Sequence, residues 1–245
     1  MAVTTRHGGV SAPPYDTLNL GLHVGDDPGS VVANRARAAA AFGTTLENLV
    51  FAHQVHRAQA TLVGPDERGR GTRSDDDALP ETDILVTVTP GITLVIMVAD
   101  CVPLALVDPE AHVLAAVHAG WRGTAAGAVG AALRSMQERG AESGRIHAFV
   151  GPAVHRERYQ VSDEVPRALR AAVGPAPLLP GVARPDGAHH WLVDLVAANR
   201  QQLIAGGVPE EQIIGCGATT ADEPFFSDRT QRPCGRFALL ARLLG

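Results

Sequence analysis

The sequence predicts an α+β fold in which mixed β-sheets carry helices packed on the outside, in one domain covering residues 1–245. Three observations point there. Apolar runs at 84–88, 92–98, 103–107 and 112–117 are rich in aliphatic and β-branched residues, as buried strands are. Helical patterning appears at 28–42, and after His118 the sequence changes to Ala-rich helical spacing. There is no internal repeat, and no linker long enough to separate domains.

The elements follow in order. A helix is predicted over 28–42: Asp27 is a good N-cap, Pro28 suits the first helical position and Gly43 ends the run. Strands are predicted at 49–52 and 58–63. Residues 64–82 read as a loop of Gly, Asp, Arg and Ser. Its run Asp75-Asp76-Asp77 reads as a solvated face, with a hard-cation site as the sharper alternative. The four central strands are separated by Thr89-Pro90-Gly91 and Asp108-Pro109-Glu110, turns short enough to favour antiparallel neighbours. An Ala-rich helix is predicted over 123–140 from Ala126, Val129, Leu133 and Met136. A strand at 146–150 runs into Gly151-Pro152. Then come a helix at 163–173, a Pro/Gly-rich loop at 174–190, a helix at 193–205 closed by Gly206-Gly207, and a strand at 212–215. A polar string and a terminal apolar segment end the chain.

Composition narrows the chemistry. A net charge of −5 gives no basic footprint, so nucleic acid is not an expected partner. No run of 18 apolar residues suggests a membrane span, and the N-terminus lacks the apolar stretch of a signal peptide, so a cytoplasmic protein is expected. Three widely spaced cysteines do not form a disulfide framework. All 21 basic residues are arginine. Schiff-base lysine chemistry and a lysine phosphate loop are therefore excluded. Any anion must be held by arginine, helix N-termini or backbone N–H groups.

Two strings at the ends of apolar runs concentrate the reactive side chains: Ala99-Asp100-Cys101 and, 17 residues after the cysteine, His118-Ala119-Gly120-Trp121-Arg122-Gly123. A third apolar patch leads into His53-Gln54-Val55-His56. Thiol and imidazoles from three strand ends would make a zinc site with one open position, as catalytic zinc requires. Cys101 reads as a metal ligand or nucleophile, against the alternative of an inert core thiol. One of His53 and His56 is expected as a ligand, because they point differently after a strand. Ala119-Gly120 leaves room for close approach of backbone or ligand. Near the C-terminus, Arg229, Arg232 and Arg236 fall within eight residues. They read as a solvated basic loop or as an anion site, since guanidinium groups grip phosphate bidentately. Cys216 and Cys234 lack metal-ligand spacing.

The chain resembles the YfiH/laccase-domain family, called multicopper polyphenol oxidases and also zinc-dependent purine nucleoside phosphorylases. The matching strings run through nearly the whole chain: Thr4-Thr5-Arg6-His7-Gly8-Gly9-Val10, Leu18-Asn19-Leu20-Gly21, His23-Val24-Gly25-Asp26-Asp27-Pro28, Gln54-Val55-His56, Ala99-Asp100-Cys101-Val102-Pro103, His118 to Gly123, Gly151-Pro152-Ala153, and Phe226-Ser227 with Arg229 and Gly235-Arg236. The resemblance implies a YfiH-like fold and a zinc held by His56, Cys101 and His118, choosing His56 because the family's histidine follows Gln-Val. It implies phosphorolysis of adenosine, inosine, guanosine and methylthioadenosine to base and ribose 1-phosphate, with adenosine deamination as a second activity. Asp100 is expected to act in general acid/base work or to orient a ligand. Phosphate and nucleoside are expected at Arg229 and Arg236, with Arg6, Arg122 and Asn19 as further contacts. The expected state is a monomer. Two strings depart from the family pattern: Ser227-Asp228-Arg229-Thr230 replaces Ser-Tyr-Arg-Arg, and Val154 to Tyr159 replaces a Gly- and Cys-containing loop. Three rivals remain open. One is a copper-dependent polyphenol oxidase, for which two His and one Cys could hold copper but the usual His-X-His pairs are missing. A second is a Cys101–His118 hydrolase in peptidoglycan precursor editing, and the third is a zinc module without turnover.

Overall fold

The computed structural model describes residues 1–173 and 181–245. The strands, in chain order, are β1 (Ala2–Val3), β2 (Leu49–Val50), β3 (Ala60–Leu62), β4 (Ile84–Thr87), β5 (Thr93–Val98), β6 (Val102–Asp108), β7 (Val113–Ala119), β8 (His147–Val150), β9 (Gln160–Ser162), β10 (Ala183–Pro185), β11 (His190–Val193), β12 (Ile213–Gly215) and β13 (Phe237–Arg242). The α-helices are α1 (Pro28–Ala41), α2 (Trp121–Ala125), α3 (Ala128–Gln137), α4 (Glu164–Val173) and α5 (Leu195–Ala205). A six-stranded sheet has the order β12-β8-β6-β7-β4-β3, a four-stranded sheet β1-β13-β5-β2, and a small sheet β10-β11-β9. Parallel pairs (β2–β5, β3–β4, β8–β12) sit among antiparallel ones, so the sheets are mixed.

The two larger sheets stack face to face, which explains the unbroken apolar runs. On β6 and β7, Leu104, Leu106, Ala115 and Val117 face helices α3 and α5. The alternate residues Ala105, Leu114 and Ala116 meet Leu94, Ile96, Phe237 and Leu239 of the four-stranded sheet. That sheet turns Val95, Met97, Ala238 and Leu240 toward Ala38 and Ala39 of α1. Both sheets are thus buried on both faces, and the sequence shows continuous hydrophobicity rather than alternation.

Helix α1 starts as its sequence predicts, with the Asp27 side chain accepting from the Ser30 N–H at 2.7 Å. Its Arg35 is buried, donates to the carbonyls of Leu20, Gly71 and Thr72, and lies over the Phe51 ring at 3.9 Å. One side chain so ties the helix to the N-terminal segment and to the loop before β4.

Several expectations are corrected. The turn at 89–91 makes no hairpin: β4 pairs with β3 and β7, whereas β5 pairs with β2 and β13, because the chain crosses there from one sheet to the other. Only the 108–110 turn joins antiparallel neighbours, β6 and β7. The helix predicted over 123–140 is split by Gly127, whose φ of +79° breaks it into α2 and α3. Of the loop predicted at 174–190, residues 174–180 lie outside the described residues, and the remainder holds β10 and the start of β11. The terminal apolar segment is β13, the strand between β1 and β5.

Asp108 closes β6 and anchors the β6–β7 turn. Its carboxylate is fully buried and accepts from the N–H groups of Glu110, Ala111 and Glu142, while Arg145 pairs with it at 3.0 Å. Burial pushes its pKa up, but Arg145 and the three N–H donors outweigh it and hold the carboxyl at about 2. An unfolded aspartate titrates near ~3.9. The stabilisation is therefore fully present above pH ~4 and is lost as pH falls through about 2. Asp108→Asn is expected to lower Tm at pH 7, with the gap to the native chain closing between pH 4 and 2. A gap of constant size across that range contradicts this assignment.

Candidate metal centre

The β6–β7 hairpin sets two of the three reactive side chains. Pro103 pairs with His118 and Val102 with Ala119, so Cys101 lies just before one strand, opposite the end of the other. Cys101 is half-buried and His118 buried. His56 arrives from the loop after β2 and is exposed, with its backbone at φ +61°. The ligand atoms of His56, Cys101 and His118 lie within 4.8 Å of one another. Cys101 Sγ and His56 Nε2 are 3.8 Å apart, and the two imidazoles meet edge to face at 4.7 Å.

Metal–sulfur and metal–nitrogen bonds of about 2.3 and 2.0–2.1 Å place tetrahedral ligand atoms roughly 3.3–3.6 Å apart. The observed cluster, with one pair at 3.8 Å and every pair within 4.8 Å, would contract on closing around a metal. Gly120 gives a second, independent fit. A Cβ there would stand 2.8 Å from Cys101 Sγ and 2.8 Å from His56 Cδ2. The space between thiol and imidazole is left open by the lack of a side chain.

The electrostatics favour a thiolate at Cys101 and hold positive charge on its imidazole partner His118. Burial pushes the Cys101 thiol up, but the His118 charge and hydrogen bonds from both imidazoles hold it below the ordinary thiol range. The coupled His118 is displaced the other way: burial pushes it down, and the thiolate and Asp83 outweigh that. Asp83 is fully buried and bonds His118 Nδ1 at 2.7 Å, which leaves Nε2 for the cluster.

The cluster lies in a cleft of about 950 Å³. Arg122 and Arg229 line it, stacked on Trp121 (4.3 Å) and Tyr159 (5.1 Å) respectively. Among the described residues neither guanidinium pairs with a carboxylate. Arg236 also lines the cleft, but its guanidinium donates to the Cys234 and Gly235 carbonyls and sits 3.6 Å from Asp228.

Two expected contacts are displaced. Arg6 does not line the cleft; it donates to Asp16 and covers Phe226. Asn19 is fully buried outside the cleft, bracing Gly21, Asp26 and the backbone of Arg236. Asp100 lines the cleft beside Cys101, at φ +95°, but its carboxylate is occupied. It accepts from Thr220 Oγ1 (2.6 Å), Ser227 Oγ (2.7 Å) and the Arg229 N–H (2.6 Å). His53 lines the cleft without joining the cluster. Among the described residues, His56, Cys101 and His118 form the one group of three or more His, Cys, Asp or Glu placed to hold a metal.

Sequence reasoning passed over Asp83 and Tyr159, while Ala119-Gly120 reads as room for close approach of backbone or ligand. Asp83 stands just before a buried strand, where an aspartate reads locally as an ordinary turn residue. Tyr159 falls in a segment that departs from the family pattern and carried no signal.

A family model described as "Multi-copper polyphenol oxidoreductase laccase" matches residues 1–243. The chain belongs to this family. Within the laccase-like family, it is 46% identical over 237 residues to "Purine nucleoside phosphorylase Rv2149c" of Mycobacterium tuberculosis, covering 97% of this chain and 89% of that protein. It is 40% identical to "Purine nucleoside phosphorylase YlmD" of Geobacillus stearothermophilus, over 94% of this chain and 84% of the relative. The crystal structure of that YlmD superposes with a TM-score of 0.95 at 38% identity, covering 99% and 91% of the two chains. The structure of Bacillus licheniformis YfiH gives 0.93 at 34% identity, covering 98% and 91%. The α+β fold with mixed sheets is thus the fold of these YfiH and YlmD neighbours. No described helix is long and apolar enough to cross a membrane.

Proposed function

We propose that this chain is a zinc-dependent purine nucleoside phosphorylase with adenosine deaminase as a second activity. One observation carries the reading: a His-Cys-His donor set shares a cleft with two guanidinium groups that have no carboxylate partner among the described residues. The names of the relatives support the nucleoside substrate. Bound zinc would supply Lewis acidity at His56, Cys101 and His118. In phosphorolysis a phosphate oxygen forms a bond to ribose C1′ as the C1′–N9 bond breaks, and the electron pair leaves with the purine. Arg122 and Arg229 would hold the phosphate, their aromatic partners fixing the guanidinium planes while the N–H edges stay available. In deamination water replaces phosphate as nucleophile, and ammonia leaves purine C6.

Asp100 would act as a positioning residue. Three donors already occupy its carboxylate, and through them it holds the Arg229 segment against the Cys101 turn. Asn in its place keeps the two hydroxyl contacts but cannot serve the Arg229 N–H as well. Losing a charged, buried acceptor costs about 1.5–3 kcal/mol. Asp100→Asn is therefore expected to keep its metal and lose roughly 10- to 100-fold in turnover; wild-type turnover would remove this role.

The proposal is tested by metal analysis of the purified chain together with a panel of adenosine, inosine, guanosine and methylthioadenosine, each with and without phosphate. Phosphate-dependent release of free base, abolished by chelation and restored by zinc, is the expected result. Activity that survives chelation and is lost on thiol alkylation would favour the cysteine hydrolase. Phenol oxidation restored only by copper would favour the oxidase.

A further inference from the structure

Asp83 serves two of the three cluster residues from one buried carboxylate. Oδ1 bonds His118 Nδ1 at 2.7 Å and accepts from the His56 N–H at 2.9 Å. Oδ2 accepts from the N–H groups of Val55 at 3.2 Å and Arg57 at 2.7 Å. The side chain is 0% exposed. The peptide 55–57 lies outside any helix or strand, and His56 within it takes a left-handed backbone that non-glycine residues rarely adopt. Three convergent N–H groups on one carboxylate supply the stabilisation that this conformation lacks on its own. The backbone closes the loop from the other side, with His118 N–H donating to the Asp83 carbonyl at 2.8 Å.

We infer that Asp83 is the positioning residue of the metal centre, fixing the His118 tautomer and the His56 backbone together. The inference rests on the metal reading above for its consequence, though not for its geometry. His118 Nδ1 carries the proton because it faces a carboxylate, so Nε2 presents its lone pair to the cluster. His56 is exposed and sits on an irregular segment. Gln54 anchors the preceding residues to the Met97 backbone, but among the described residues the N–H groups of 55–57 are held by Asp83 alone. Asn at position 83 keeps the size of Asp but has only one acceptor oxygen. It must turn its amide N–H groups toward either the peptide N–H donors or the imidazole, and both arrangements break the set.

The test compares Asp83→Asn with Asp108→Asn, a second buried aspartate of the same sheet whose partners lie away from the cleft. Zinc affinity is measured on metal-free protein by competition with a chromophoric chelator, and Tm is followed in parallel. Asp83→Asn is expected to lose roughly 10- to 100-fold in zinc affinity, the scale typical when an outer partner of a metal-bound histidine is removed. Asp108→Asn is expected to lose Tm but keep the native zinc affinity. Equal zinc affinity in Asp83→Asn and the native chain overturns the inference, as does an equal loss in both variants. Two measurements on the metal-free native chain need neither a variant nor a metal: nitrogen NMR of His118, and amide exchange at 55–57. At a pH high enough to leave the ring neutral, the Nδ1–H tautomer is expected, with slowed exchange at 55–57. The Nε2–H tautomer, or exchange at the rate of an open chain, overturns the inference even if the variants fail to fold. A native chain that binds no zinc but shows both NMR signatures refutes the metal reading and leaves the positioning geometry standing.

Discussion

Replacing Cys101 by alanine is expected to leave a folded chain from which most of the metal, and with it the turnover, is gone. The thiol is half-buried, lining the cleft and only flanking the core between the sheets, so its loss opens no large cavity. Apparent binding free energies of about 10–16 kcal/mol for four-ligand zinc put about 3 kcal/mol on each ligand, so affinity should fall by at least ~100-fold. Gly120→Ala reaches the same end with every ligand still present. Its added Cβ, 2.8 Å from both Cys101 Sγ and His56 Cδ2, forces the two ligands apart. Metal analysis of both variants checks the centre from two directions. Full occupancy in Cys101→Ala takes Cys101 out of the site, and full occupancy in Gly120→Ala means that the ligands close elsewhere than the structure has them.

Why Cys101 and His118 could be picked from sequence, while Asp83 could not, has a physical basis. The apolar runs that become β5 and β7 lead into these residues, and the ends of strands buried on both faces are where a thiol or imidazole can reach a cleft. Their meeting follows from the hairpin register. His56 differs: His53 and His56 leave the same apolar patch, and nothing local separates them. What separates them is Asp83, whose bonds to 55–57 cross nearly thirty residues. An aspartate before a strand reads locally as an ordinary turn residue, so its role emerges only once β4 lies beside β7. Arg6 and Asn19 show the opposite error. Both belong to matching strings, yet Asp16 and Asp26 claim them within the N-terminal segment, which among the described residues reaches the cleft lining through His23 and not through either of them. Elements short of an extended apolar run were likewise invisible, as with β9, β10 and β11, strands of three, three and four residues.

The same logic of prior commitments ranks the arginines, and it sets the second large effect. Arg229→Ala is expected to raise the apparent KM for phosphate in phosphorolysis by roughly 10- to 100-fold, the equivalent of the about 1.5–3 kcal/mol lost with a charge-assisted contact. The substitution is clean because the contact that holds the segment in place is made by the Arg229 backbone N–H to Asp100, which alanine retains. Only the guanidinium over Tyr159 is removed. Arg122→Ala should act in the same direction. Arg236→Ala should not, since the Cys234 and Gly235 carbonyls already take up its guanidinium; its loss should show mainly as a lower Tm. Deamination uses water and no phosphate, so a phosphate-holding arginine leaves its rate nearly unchanged. Steady-state kinetics with phosphate varied, run beside adenosine deamination on the same preparations, separates the cases. Parallel loss of both activities makes Arg229 a nucleoside contact instead. Unchanged kinetics in both returns the Arg229 segment to a solvated basic loop, and the phosphate would then have to be sought at the backbone donors of the cleft, because this chain has no lysine to offer it.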